Sequence, residues 1–356
     1  MRRSPIVMVA LLLAVGAEAR VIQVNPGGSI QAAVDLAAPG DKVLVNPGTY
    51  TEAGQACPET PSQTCAVVVS KDRVRLWGNN RNGSVVLQAL PGQDVGIDFV
   101  KPGVDANDCL NDSAHRIVGS ELRGFTVSGF STDIDAVTGD AAVLMLCADR
   151  WRVTRNVISG GLDNGIFAWF ARRGRISHNV VENQSNDTGI RTYDGERVRI
   201  DRNDVTGATI GIQIDGGGYH RADHNDVHGN TVGISMFPGP FGGHDLTLDW
   251  NQVVDNDKPK TTIFGVFRGA GIWIQGGAVD RAVVRENTVT NNDSWGIGVF
   301  SGSNDVRVLS NTMTNNGTAP EVPAFGVDLA WDGTGVGDCE SANLLASEHL
   351  ILPTCP

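Results

Sequence analysis

One asparagine recurs at a fixed place in a short phrase through the second half of the chain, and that recurrence limits what the chain can fold into. The asparagines are Asn156, Asn179, Asn203, Asn225, Asn251, Asn287 and Asn311, spaced 23, 24, 22, 26, 36 and 24 residues apart. Three residues before each stands an apolar side chain: Val153, Ile176, Ile200, Ala222, Leu248, Val284 and Val308. Between them lies a second mark, a glycine followed by a β-branched residue. It falls at Gly165-Ile166, Gly189-Ile190, Gly211-Ile212, Gly233-Ile234, Gly271-Ile272, Gly296-Ile297 and Gly326-Val327. A period this short implies one supersecondary unit per repeat, stacked on its neighbours. The apolar runs span only a few residues and alternate, which predicts strands. In the run Gly211 to Asp215, Ile212 and Ile214 point to one side, Gln213 and Asp215 to the other. The isoleucines of successive units then stack into one core.

The asparagine has a physical role in such a stack. Its amide can bond to the asparagine one unit away, forming a ladder, and the residue tolerates the left-handed conformation of a tight turn. The expectation is that each ladder asparagine itself occupies that conformation and is structural.

Composition agrees. Of 356 residues, 44 are glycine and 41% are hydrophobic, enough for a long core but poor in helix formers. Acidic residues outnumber basic ones, 40 to 28, and the net charge is −12, which disfavours a nucleic-acid partner. Arg2 and Arg3, the apolar run Ile6 to Gly16 and the small-x-small triplet ending at Ala19 predict a cleaved export signal over residues 1–19. No later segment is long and apolar enough to span a membrane. The six cysteines of an exported chain suit disulfides. Connectivity does not follow from sequence. Proximity suggests Cys57–Cys65 and Cys339–Cys355, which leaves Cys109–Cys147. Their spacing matches no zinc pattern.

A stack of strands needs covered ends. Ser29 is a good N-cap, and Ile30, Ala33, Val34 and Ala37 share one helical face. A strand over residues 42–46 follows. The expected organisation is residues 1–19 as signal, 20–70 as N-terminal cap and first coil, 71–335 as the stack, and 336–356 as C-terminal cap.

The segment from Ser29 to Asp35, followed by Pro39 to Tyr50, resembles the N-terminal segment of the pectin-lyase-like superfamily. With the repeats, the resemblance covers roughly residues 21–335. It implies an all-β fold, a right-handed parallel β-helix with an N-terminal capping helix. It is specific for fold and weak for activity. Relatives in that superfamily include pectate lyases, polygalacturonases, alginate lyases and epimerases, and phage tail spikes. This chain lacks the Asp-Pro-His of mannuronan epimerases, the Arg-x-Pro-x-x-Arg of pectate lyases, and the Gly-His-Gly and Asp-Asp of polygalacturonases.

Functional expectations therefore rest on the outward face of the glycine-initiated strands. One outward column runs Phe167, Arg191, Gln213, Ser235, Trp273, Gly298, Asp328, the other Trp169, Tyr193, Asp215, Phe237, Gln275, Phe300. At about 4.8 Å per coil these form two tracks roughly 30 Å long. Aromatics in a row on a solvated face predict stacking against sugar rings. Trp169, Gln213, Phe237, Trp273, Phe300 and Asp328 are the expected substrate-binding residues. Arg191, Tyr193 and Asp215 are the expected catalytic ones. Tyr or Arg would act as base and acid in a lyase or epimerase, or Asp215 with a partner carboxylate would hydrolyse a glycosidic bond. Insertions lengthen the gap after Asn251 to 20 residues and after Asn311 to 15, predicting loops beside the groove.

Asp201, Asp223 and Asp249 occupy one position in three successive coils. Stacked carboxylates repel unless neutralised, by Ca2+ or by Arg199, Arg202 and His224. Ca2+ is the only cofactor the sequence suggests. His178, His220, His224, His228 and His244 show no metal-ligand spacing. The expected function is an exported, monomeric protein that binds a polysaccharide, a uronate polymer above others; the sequence leaves open whether it also cleaves or epimerises that polymer. The alternatives are a non-catalytic surface or periplasmic scaffold and, more weakly, an accessory protein for metal or cofactor handling.

Overall fold

The computed structural model describes residues 18–104, 108–109, 113–130, 140–258, 260–262, 265–267, 269–276, 279–318 and 326–356. The signal expected over residues 1–19 lies almost wholly outside them, as do parts of both expected insertion loops.

The chain winds through three long sheets, one strand to each sheet per coil. The first sheet has 12 strands, from Val21–Val24 through Arg175–Ser177 to Cys339–Ser341. The second has 10, from Gly48–Tyr50 to Thr312–Thr314, and the third has 12, from Gln55–Ala56 to Glu348–His349. Pairing within them is parallel, as at Ile190, Ile212 and Ile234, except where Gln55–Ala56 runs antiparallel to Thr64–Val69. The three isoleucines are fully buried and share one core with Val205, Val227 and Ile200. The fold is all-β, a parallel β-helix, as the period predicts. The sheets run without a break through residue 70, because Lys42–Val45 pairs directly with Arg75–Gly78.

The capping helix covers Ile30–Leu36. Ser29 Oγ accepts from Ala32 N at 3.0 Å and donates to Glu52, whose other oxygen accepts from Ile30 N at 2.6 Å. Two of the orphan N–H groups of the helix start are thereby satisfied. Ile30, Ala33, Val34 and Ala37 close the end of the core.

The asparagine ladder runs without interruption from Asn156 to Asn343. In each rung one Oδ1 accepts twice. The backbone N and Nδ2 of Asn203 donate to Asn225 Oδ1 at 3.0 and 2.9 Å, and the same Nδ2 donates back to Ile176 O at 3.0 Å. The left-handed residue is not the asparagine but the one before it: Arg155, His178, Arg202, His224, Trp250, Glu286 and Ser310 all have φ between 54° and 59°. Turning that residue left-handed sends its side chain outward and the next one inward. The asparagine is required for its amide, not for its tolerance of strain.

A second ladder was not apparent from the sequence. Asn230, Asn256, Asn292 and Asn316 repeat the same bonds at the turn into the third sheet. This ladder explains the glycine mark. A Cβ at Gly211 would lie 2.5 Å from Val227 Cγ1, 2.7 Å from Gly233 O and 2.9 Å from Asn230 Nδ2. The glycine is fixed by close packing.

All six cysteines are paired, Cys57–Cys65, Cys109–Cys147 and Cys339–Cys355, the pairing that proximity suggests. The last ties the terminal coil to the end of the chain. Asn225→Ala would strand the Asn203 backbone N–H in the interior. The expected loss is about 3 kcal/mol of unfolding free energy, measured by urea titration against a surface control such as Gln252→Ala. Mass spectrometry without reductant should find no alkylatable thiol in the mature protein.

Candidate functional site

The third sheet presents the expected columns, but its outer face is not an open groove. Phe167, Gln213, Asp215 and Ser235 are buried, and Trp169, Tyr193, Phe237, Trp273 and Phe300 are half-buried. The aromatics pack on one another in two groups. At one end Trp169 stacks on Phe167 at 5.5 Å and on Phe170 at 6.1 Å, with Tyr193 edge-on at 6.3 Å. Phe241 extends this group and is 63% exposed, so it offers the open ring edge there. At the other end Trp295 takes Trp273 and Phe300 edge-on at 5.9 and 5.3 Å, and Phe237 meets Trp273 at 5.3 Å. Phe170, Phe241 and Trp295 lie off the two columns, which is why the column pattern missed them.

Between the aromatic groups lies a polar centre. Arg191 bonds Asp215 through Nε and Nη2, both at 2.8 Å, and approaches Asp187 at 3.7 Å. Gln213 Nε2 lies 2.8 and 2.9 Å from the two Asp215 oxygens, and its Oε1 accepts from Thr188 Oγ1 at 2.8 Å. The guanidinium also lies over the rings of Phe167 and Tyr193, at 5.3 and 5.4 Å. Burial pushes the Asp215 carboxyl up, against the pull of Arg191 and Gln213. Burial works against the Arg191 charge, but Asp215 and Asp187 outweigh it and hold Arg191 charged.

The structure adds three carboxylates that the column pattern omits. Asp140, Asp163 and Asp187 stand in register on successive coils, one step outside the strand. Burial, a shared hydrogen bond with Asp187, and the charges of Asp187 and Asp140 push Asp163 well above the usual carboxylate range. Asp163 therefore holds a proton that it donates to Asp187, while Asn164 Nδ2 donates to Asp163 at 2.8 Å. Asp187 keeps 35% of its side chain exposed and is the accessible member of the pair. The signal was legible as an aspartate two residues ahead of the glycine mark or its equivalent, in three consecutive coils.

Three expectations need correction. Asp328 does not join the outward column. The strand Val327–Trp331 pairs with Ile297 opposite Leu329, so the Gly326-Val327 mark is out of register by two residues. Asp328 instead terminates the second ladder, where its Oδ1 accepts from Asn316 N and Nδ2 and its Oδ2 from Ala346 N. Asp201, Asp223 and Asp249 do not form a calcium site. Arg175 holds Asp201 through two bonds of 2.6 Å, Arg199 holds Asp223 at 2.8 and 2.7 Å, and Arg221 holds Asp249 at 2.9 Å twice. Each carboxylate is buried and its oxygens are occupied by a guanidinium fork, which leaves no ligand set for a cation. Tyr193 is not poised as a base, because burial and the neighbouring Asp194 charge push its hydroxyl up.

Among the described residues one group of metal-ligating types converges, Cys57, Glu59 and Cys65. Its two sulfurs are joined to each other, so it offers no thiolate.

A sequence family described as a right-handed β-helix region matches residues 141–316. Among solved structures, the chain is similar to the Dettilon tailspike protein at 15% identity and a TM-score of 0.61, over 90% of this chain and 62% of that one. The DFA-IIIase of Arthrobacter chlorophenolicus aligns at 14% identity and a TM-score of 0.63, over 94% and 90% of the two chains. A periplasmic alginate epimerase aligns at 13% identity and a TM-score of 0.55, over 91% and 73%. No curated protein matches the sequence. At these identities the likeness carries the fold. The chain is a right-handed parallel β-helix protein, and it spans under two thirds of the tailspike it matches.

The shifted Asp163 makes a stability prediction. Its folded-state affinity for the proton exceeds that of the unfolded chain, so the stabilisation is complete below about pH 4 and is lost as pH rises towards the folded-state value. Asp163→Asn keeps the shape and a donor to Asp187 without the titration. The variant should match the wild type near pH 4 and exceed it near pH 8, in urea midpoints measured at both.

Proposed function

We propose that the protein binds a polysaccharide along the outer face of the third sheet and hydrolyses it. The observation that carries this reading is the placement of Asp163 and Asp187 in register at the accessible edge of a polar centre flanked by aromatic rings, where burial and neighbouring carboxylates push the Asp163 carboxyl up. Hydrolysis of a glycosidic bond needs an acid to protonate the leaving oxygen and a carboxylate to support the developing positive charge. The Asp163–Asp187 pair supplies the acid, its proton lying on Asp163 and leaving through the exposed Asp187. Asp215 is the carboxylate, oriented by Arg191 and Gln213. Trp169, Tyr193 and Phe241 on one side, and Phe237, Trp273 and Phe300 on the other, flank the sugar chain. The structural neighbours that act on glycans favour the same reading by analogy of fold alone.

The centre does not favour a uronate in this position. Arg191 is already committed to Asp215 and Asp187, and these leave the cluster net negative, so a sugar carboxylate would be repelled. A lyase or epimerase would also need a base, and the shift of Tyr193 opposes that role. Export, with cleavage after Ala19, and a monomeric state belong to the same proposal. The three disulfides are compatible with secretion, and no described helix is long and apolar enough to cross a membrane.

The second reading, a non-catalytic scaffold, draws on the burial of Gln213, Asp215 and Ser235. Reducing-end assays on a panel of glycans separate the two. Hydrolysis predicts new reducing ends with no absorbance of an unsaturated product. Asp187→Asn should lower kcat by about a thousandfold with KM little changed. Trp169→Ala should instead weaken binding by about 1–3 kcal/mol. Glycan binding without product across the panel favours the scaffold.

A further inference from the structure

The first sheet carries a patch whose charge runs against that of the chain. Its outer face stacks Lys42, Arg75, Glu121 and Arg152 in one column and Leu44, Trp77, Arg123 and Thr154 in the next. Arg155 follows at the turn, left-handed and exposed. Three cations surround one indole: Lys42 Nζ lies 4.9 Å from the Trp77 ring centre, Arg123 Cζ 5.4 Å and Arg75 Cζ 5.7 Å. Further along the same sheet Asp201, Asp223 and Asp249 each have an arginine fork. Here the pattern stops. Among the described residues none of Lys42, Arg75, Arg123, Arg152 and Arg155 is paired to a carboxylate. Five cations face one acidic side chain, Glu121, in a protein of net charge −12.

An indole attracts cations, but each added cation repels those already there. A carboxylate-bearing ligand relieves that repulsion and gains charge-assisted bonds. The arrangement favours a linear partner over a broad one. The cations lie in a stripe two residues wide, advancing about 4.8 Å per coil over four coils. A sugar chain with a carboxylate on each unit would set its anions along the column and a ring against the exposed part of Trp77.

We propose that this stripe is a second glycan site, which binds a linear polyuronate by its carboxylates, separate from the hydrolytic centre on the third sheet. It rests on the polysaccharide reading only in so far as both sites take glycans, an acidic one on the stripe and a neutral one on the third sheet.

The test uses the mature protein, polygalacturonate and isothermal titration. Wild type should bind polygalacturonate and not a neutral glucan through this face, with affinity falling steeply as salt rises. Arg123→Ala with Arg152→Ala should weaken that binding by about tenfold or more and flatten the salt response. Arg155→Glu, at an exposed turn, should weaken it without altering the thermal midpoint. The double variant should hydrolyse short neutral oligosaccharides at the wild-type rate, and Asp187→Asn should bind polygalacturonate as wild type does. Unchanged affinity in both patch variants would overturn the proposal, whatever the outcome for hydrolysis. So would equal or tighter binding of single-stranded DNA or of anionic phospholipid vesicles, with the same sensitivity to Arg155→Glu. Loss of product in Asp187→Asn bears on the third sheet alone.

Discussion

A single carbonyl oxygen that accepts twice organises this molecule. Each ladder asparagine receives the backbone N–H and the side-chain amide of its neighbour on one Oδ1, and returns its own amide to a strand carbonyl of the preceding coil. A turn in a parallel solenoid buries backbone groups that no water can reach, and unmade bonds there would cost more than most side-chain contacts return. The amide settles that debt one coil at a time. Everything else follows from it: turns of constant shape, strands in register, and stacked isoleucines that fill the core.

The same repetition governs how charge is tolerated. Stacking coils at the strand spacing puts like residues beside like, so any ionisable column creates its own electrostatic problem. The chain resolves it in two ways and leaves it open in one place. On the first sheet, arginine forks neutralise Asp201, Asp223 and Asp249 across coils. On the third, Asp163 and Asp187 resolve it with a shared proton. Around Trp77 the cations have, among the described residues, no carboxylate partner. Where neutralisation is complete the surface is inert, and where it is not, chemistry or binding has a foothold.

The periodicity showed the fold almost completely, because the ladder and the glycine mark are imposed by contacts that repeat identically. Ser29 and the apolar face behind it were equally plain, since a cap is a local matter. What sequence spacing could not show was depth. Gln213 and Asp215 alternate outward as predicted, yet they are buried, because alternation gives a side chain's direction and not what lies above it. Asp328 was misplaced because a lengthened loop shifted the glycine mark by two residues, and only the pairing of Leu329 with Ile297 resolves the register. Asp163 and Asp187 lay just outside the strands on which attention rested. The asparagine repeat was recognised and its backbone role misassigned, since sequence does not reveal which of two adjacent turn residues is left-handed.

Freedom at that left-handed position has a wider meaning. Arginine, histidine, tryptophan, glutamate and serine all occupy it. The strain is carried by the ladder next to it, so the side chain is left to vary. A row of interchangeable outward residues therefore runs the length of the ladder, one per coil, at a pitch the backbone sets. Such a row can acquire charge, aromatic surface or neither without disturbing the fold, much as beads can be exchanged on a fixed wire. Evolution, or an engineer, could rewrite it one coil at a time.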